Sequence, residues 1–89
     1  MLDKYNIPLY ISWTVMENII YIVDERSNEL YALEEYGVTI LLSLINRQPL
    51  SKIIEKIAKE SHQTFYETQI IVNEFINDLV ESEIVKKDE

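Results

Sequence analysis

The sequence predicts a small α+β domain, a three-stranded antiparallel sheet followed by three α-helices. Three observations carry this. Apolar residues alternate with a period of two early in the chain. Helical spacing takes over after Leu33. The change of period falls beside Gly37, the only glycine among the 89 residues.

The first strand is read from Leu9, Ile11, Trp13 and Val15, which alternate with Tyr10, Ser12 and Thr14. Met16-Glu17-Asn18 reads as a turn. Ile19 to Val23 is a continuous β-branched and aromatic run, expected as a central strand covered on both faces. Asp24 to Asn28 carries Asp, Ser and Asn, whose side chains bond the local backbone in turns. Glu29 to Leu33 is the third strand. Short turns join antiparallel neighbours, so the expected topology is a meander.

From Glu34 the pattern is helical. Val38, Leu41, Leu42 and Ile45 share one spacing, and Ile40 and Leu44 add apolar surface on other sides, so the first helix should be buried. Glu34 and Glu35 lie at its start, where carboxylates suit the helix dipole. Asn46-Arg47-Gln48 ends it and Pro49 opens the second helix. That helix has one stripe, Leu50, Ile53, Ile54 and Ile57, with Lys and Glu elsewhere. Thr64 to Glu67 fits a capping box. The third helix then carries Ile71, Val72, Phe75, Ile76, Leu79 and Val80. Glu83-Ile84-Val85 reads as a short terminal segment, and Lys86 to Glu89 is expected to fray. The whole chain, 1–89, is read as one domain in a winged-helix-like order of elements.

Composition narrows the function. There is no cysteine, so thiolate metal sites and disulfides are excluded. The one histidine, His62, falls in a connector and has no second histidine to join it at a metal or in catalysis. A single glycine excludes glycine-rich phosphate loops, and no serine lies in an activating motif. The chain is expected not to be an enzyme and to need no metal or cofactor. The net charge of −8 repels phosphate backbones and anionic lipid, so neither nucleic acid nor membrane is an expected partner. Met1-Leu2-Asp3-Lys4 lacks the features of a signal peptide, and a cytoplasmic location is expected.

The run Leu30-Tyr31-Ala32-Leu33-Glu34-Glu35-Tyr36-Gly37-Val38-Thr39-Ile40-Leu41 resembles the central signature of the PqqD-like family, roughly Tyr-Tyr-x-Leu-Asn-x-Thr-Gly-x-x-Ile-Trp. Phe75 to Ile84 resembles the family's Phe-Leu-x-x-Leu-x-x-x-Gly-Leu ending, and Leu50, Ile53 and Ile54 its second-helix stripe. Departures are Glu34 for Asn, Tyr36 for Thr, Leu41 for Trp, Ile71 at a place often held by Asp, and Glu83 for the closing glycine. These proteins are RiPP recognition elements, where RiPPs are ribosomally made, post-translationally modified peptides. The resemblance implies binding of a precursor's leader peptide as an extra strand on the third strand, with the third helix as the opposite wall. It implies presentation to a separate enzyme: a peptidase or cyclase of lasso-peptide biosynthesis, or a radical SAM enzyme as in pyrroloquinoline quinone synthesis.

The residues allow that role. The third strand has no proline, and Tyr31, Ala32 and Leu33 are uncharged, so its edge is open to strand addition. Candidate leader-binding residues are Leu30, Tyr31 and Ala32 on the strand. Opposite them stand Gln69, Asn73, Ile76 and Asn77 on the third helix, an apolar shoulder fringed by amides. Gly37 is read as a site of close packing between the first helix and the sheet. Two other readings use the same elements. A winged-helix DNA-binding regulator fits the helix order, but Tyr66 to Ser82 holds no Lys or Arg. A homodimerising adaptor could pair two copies through the open edge.

Overall fold

The protein is described by a computed structural model covering residues 5–88. The readings of Met1 to Lys4 and of Glu89 lie outside those residues. The elements are β1 (Tyr5–Asn6), β2 (Ile11–Met16), β3 (Ile19–Asp24), β4 (Glu29–Leu33), α1 (Tyr36–Ile45), α2 (Leu50–Ser61), α3 (Phe65–Glu81) and β5 (Lys86–Lys87). The main sheet is the antiparallel meander β2-β3-β4, followed by three helices, as the sequence predicts.

Register explains which side chains enter the core. Ile22 lies between Trp13 and Tyr31, and Ile20 between Val15 and Leu33. Cross-strand partners share a face, so these residues line the side towards the helices. Ile20 and Ile22 are fully buried among residues that include Ile40, Leu41, Ile53 and Val72. Each such isoleucine contributes about 1.5–3 kcal/mol of burial. Alternation puts Ile19, Tyr21 and Val23 on the other side, where Tyr21 is exposed. The central strand is therefore covered on one face only, because all three helices pack on the same side. Leu9 also departs from expectation: it is fully exposed in a turn, and β2 starts two residues later.

Turn geometry follows local chemistry. Glu17 and Asn18 both have positive φ and join β2 to β3 as a two-residue loop of the type I′ kind. At the next turn the Asp24 carboxylate accepts from the Arg26 backbone N–H at 3.0 Å and from its guanidinium at 2.8 Å and 3.1 Å. The same guanidinium stacks on Tyr10, 3.7 Å from the ring centroid, and reaches Glu83 at 3.4 Å. This cluster ties the β3–β4 turn to the end of α3.

The helices end in a shared way. At α1, Gln48 N–H donates to Ser43 and Arg47 N–H to Leu44, each at 3.0 Å; at α3, Ile84 donates to Leu79 and Glu83 to Val80, each at 3.0 Å. These are Schellman closures, and α2 closes similarly through Gln63 to Ala58 at 3.0 Å. The left-handed residue is Arg47, His62 and Glu83 in turn, with φ of 56°, 56° and 61°. His62 thus terminates a helix. At the other end of α3 the capping box is complete: Thr64 Oγ1 accepts from Glu67 N–H at 3.1 Å, and Glu67 accepts from Thr64 N–H at 3.1 Å. Beyond α3, Ile84 and Val85 are buried, and Lys86 and Lys87 pair antiparallel with Asn6 and Tyr5. Instead of fraying, this end is held, with Asp88 bonded to Arg47 at 3.1 Å.

Two of these carboxylates make stability depend on acid. The Arg26 side chain bonded to Asp24 holds its pKa below the ordinary 3.8. The Thr64 N–H, with its hydroxyl, holds Glu67 below 4.5. Both values are lowered on folding, so the stabilisation is present above the ordinary values and is lost as pH falls through the folded ones. The melting temperature should therefore fall as the pH is lowered below the ordinary carboxylate values of 3.8 and 4.5. Asp24→Asn should lower stability at neutral pH and flatten that acid slope in a pH series of thermal melts.

Candidate peptide-binding groove

β4 is an edge strand. It pairs with β3 on one side, and among the described residues no strand lies on the other. Its side chains alternate: Tyr31 and Leu33 pack on the core, while Leu30 is 77% exposed and Ala32 is exposed on the outer face. The Tyr31 hydroxyl is 3.5 Å from Glu29. Burial first, then the neighbouring carboxylates, pushes the phenol above its ordinary pKa of 10. Tyr31 therefore stays protonated at neutral pH, its hydroxyl donating to the Glu29 carboxylate.

The strand leads into α1 through a strained corner. Gly37 N–H donates to Glu34 C=O at 3.0 Å, and Glu35 sits between them at φ 52°, ψ −127°. That is the first central position of a type II′ turn, which favours glycine. Gly37 itself has an ordinary φ. A Cβ on it would lie 2.9 Å from the end of the Phe75 ring and 3.5 Å from the Leu33 Cβ. Close packing explains the glycine, as expected, but the nearest neighbour is an α3 side chain as well as the sheet. Phe75 meets Tyr36 edge to face, with centroids 5.7 Å apart at 68°. Tyr36 remains 42% exposed.

These contacts decide which flank of α3 faces the end of β4. Phe75 and, a turn earlier, Ile71 lie on it. Asn73 and Asn77 are each two residues from Phe75, about 200° around the helix. They occupy the opposite flank together with Gln69. Ile76, expected in the groove wall, is only 2% exposed: with Val72 one turn earlier it forms the centre of the buried stripe. Of the expected residues, Leu30, Tyr31 and Ala32 thus stand at the open edge, and Gln69, Asn73 and Asn77 lie on the flank of α3 away from Phe75. Tyr36 and Phe75 stand at the corner where β4 passes into α1. Both carry a sequence signal, an aromatic next to the only glycine and another on α3, although Phe75 reads from spacing as core alone.

A cavity of about 710 Å³ opens next to Tyr36, between α1, α2 and α3. Ile57, Ile71 and Thr68 form part of its wall, and Glu35, Glu60 and Glu74 bring negative charge to it. Among the described residues no group of three His, Cys, Asp or Glu could hold a metal ion. No helix there is long and apolar enough to cross a membrane.

No protein-family model matches the sequence, and no curated protein matches it. Solved structures do share its fold. One is TbiB1 in complex with the TbiA(beta) leader peptide, with a TM-score of 0.83 at 14% identity over 91% of this chain and 94% of that one. Another is lasso peptide synthetase B1 complexed with the leader peptide, with a TM-score of 0.86 at 14% identity over 93% of this chain and 98% of that one. The likeness establishes the fold across nearly the full length of both chains.

The strained corner gives a paired prediction. Glu35→Gly should relieve the II′ strain and stabilise the protein by about 1 kcal/mol. Gly37→Val should push into Phe75 and destabilise by about 1–3 kcal/mol. Denaturant unfolding of both variants measures the two effects.

Proposed function

We propose that this chain binds the leader region of a ribosomally made precursor peptide and presents it to a separate processing enzyme. The observation that carries this is the open edge of β4, free of Lys and Pro and uncharged from Leu30 to Leu33, in a fold shared with two proteins seen with leader peptides. The leader would add as a strand to β4, its backbone satisfying the free edge groups. Side chains on its inner face would reach Tyr31, Tyr36 and the Phe75 flank of α3; those on its outer face would lie beside Leu30 and Ala32. Lasso-peptide biosynthesis is the favoured pathway, with the peptidase or cyclase as the next enzyme; a radical SAM enzyme is the other candidate class. The chain contributes binding and needs no cofactor of its own. A cytoplasmic site of action fits a precursor made by ribosomes.

A DNA-binding role is disfavoured by α3, Phe65–Glu81, which contains Glu67, Glu74, Asp78 and Glu81 and no Lys or Arg.

Titration of a fluorescein-labelled leader, taken from a precursor encoded beside this chain, tests the proposal. Binding at about micromolar Kd or tighter, near −8 kcal/mol, is expected. Absence of binding at about millimolar peptide rejects it. Ala32→Pro should abolish binding while the helical circular dichroism persists. Tyr36→Ala should weaken it about tenfold through lost aromatic contact. Asn73→Ala should leave it unchanged.

A further inference from the structure

The main sheet has a second open edge, and it is less guarded than the first. β2 reads Ile-Ser-Trp-Thr-Val-Met, with no charge and no proline, and every residue after Ile11 is exposed. No strand pairs with its outer side among the described residues. Edge strands of soluble proteins are ordinarily blunted by Lys, Pro, a bulge or a covering segment. Among the described residues none of these protects β2.

The side chains around this edge are apolar on both faces of the hairpin. Trp13 is 39% and Val15 43% exposed on the face that carries Ile20 and Ile22, where the helices leave the β2 side uncovered. Met16 and Tyr21 are exposed on the other face. The border is acidic. Glu17 stands at the hairpin tip, and Glu25 at the base accepts a hydrogen bond from the Ser12 hydroxyl. Between residues 11 and 35 the only basic side chain is Arg26, and Asp24 and Glu83 hold it.

We propose that the β2 edge of this hairpin is the docking site for the processing enzyme, and that it takes an uncharged strand flanked by lysine or arginine. Charge selects this occupant. A second copy would bring the same acidic border, and both copies carry −8. The proposal rests on the reading of β4 as the leader's edge. β2 and β4 lie on opposite sides of β3, so leader and enzyme can be held at once. A processing enzyme seated there would receive the leader in a fixed orientation across one sheet.

The test uses the purified chain, the processing enzyme encoded beside it, and the labelled leader. Affinity for the enzyme is measured without leader, and affinity for the leader is measured without enzyme. Val15→Glu should weaken enzyme binding by at least about tenfold while changing leader affinity by less than about twofold. Glu17→Lys, at an exposed turn and safe for folding, should also weaken enzyme binding and reduce its sensitivity to salt. Wild-type enzyme affinity in a folded Val15→Glu variant would overturn the proposal, as would failure of the wild-type chain to bind the enzyme. If Val15→Glu does not fold, an unchanged affinity and salt response in Glu17→Lys would overturn it. Light scattering that shows a wild-type dimer and a Val15→Glu monomer would assign the edge to a second copy and reject the enzyme. Leader that binds no variant, with enzyme binding intact, would reject the leader reading alone.

Discussion

The contact between Gly37 and Phe75 sets the spacing on which the candidate groove depends. With no Cβ at Gly37, the Phe75 ring comes within the distance where a side chain would stand, and Leu33 at the end of β4 closes the same space. Three elements, β4, α1 and α3, therefore meet at one point. The ring is also held by Tyr36, which follows the strained turn at Glu35. Rotation of α3 about its axis would break the aromatic contact and expose Val72 and Ile76. The packing that stabilises the core thus also fixes which flank of α3 is offered beside the open strand.

The same glycine usage shapes the rest of the chain. The only glycine occupies a position of ordinary φ, while Glu17, Asn18, Asn28, Glu35, Arg47, His62 and Glu83 take the positive-φ positions. Asparagine tolerates that region through local hydrogen bonding; glutamate, arginine and histidine are strained there by about 1 kcal/mol or more each. At Glu83 other contacts offset the strain. Its carbonyl accepts from the Tyr10 hydroxyl at 3.0 Å, and its carboxylate meets Arg26. The resemblance places a glycine there, and the left-handed backbone at Glu83 shows the conformation that such a glycine would serve. Side-chain contacts replace conformational freedom, and they link the last turn of α3 to the sheet.

How much of this was legible in the sequence depends on the uniqueness of each pattern. The meander was readable because three runs with strand character are separated by Glu17-Asn18 and by an Asp-led turn. The capping box located the start of α3 for a similar reason: Thr64 and Glu67 satisfy each other locally. Ile19 to Val23, a continuous β-branched and aromatic run, reads as a strand covered on both faces; nothing in the run records that all helices pack on one side. On α3, apolar residues occur in adjacent pairs, Ile71-Val72 and Phe75-Ile76. Either member can centre a 3.6-residue stripe, so spacing left the helix rotation open by about 100°. The contact of Phe75 with Gly37 fixes which side of α3 packs on the start of α1. Strands β1 and β5 have two residues each, two of them lysines, and carry no periodicity to detect.

That small second sheet bears on why the main one stays open. The chain contains a segment able to pair as a strand after α3, and such a segment could in principle cover the edge of β4 or β2. It pairs with β1 instead. The reason lies in the residues before it. Ile84 and Val85 are buried in the core immediately after the Schellman turn, which fixes where the chain leaves α3. Arg47 then anchors Asp88 near the α1–α2 connection. Lys86 and Lys87 are held between these two points and meet Tyr5 and Asn6. An edge left free by the path of the chain, on a strand that carries neither Lys nor Pro, differs from an edge that is merely exposed: the fold supplies a covering strand and directs it elsewhere.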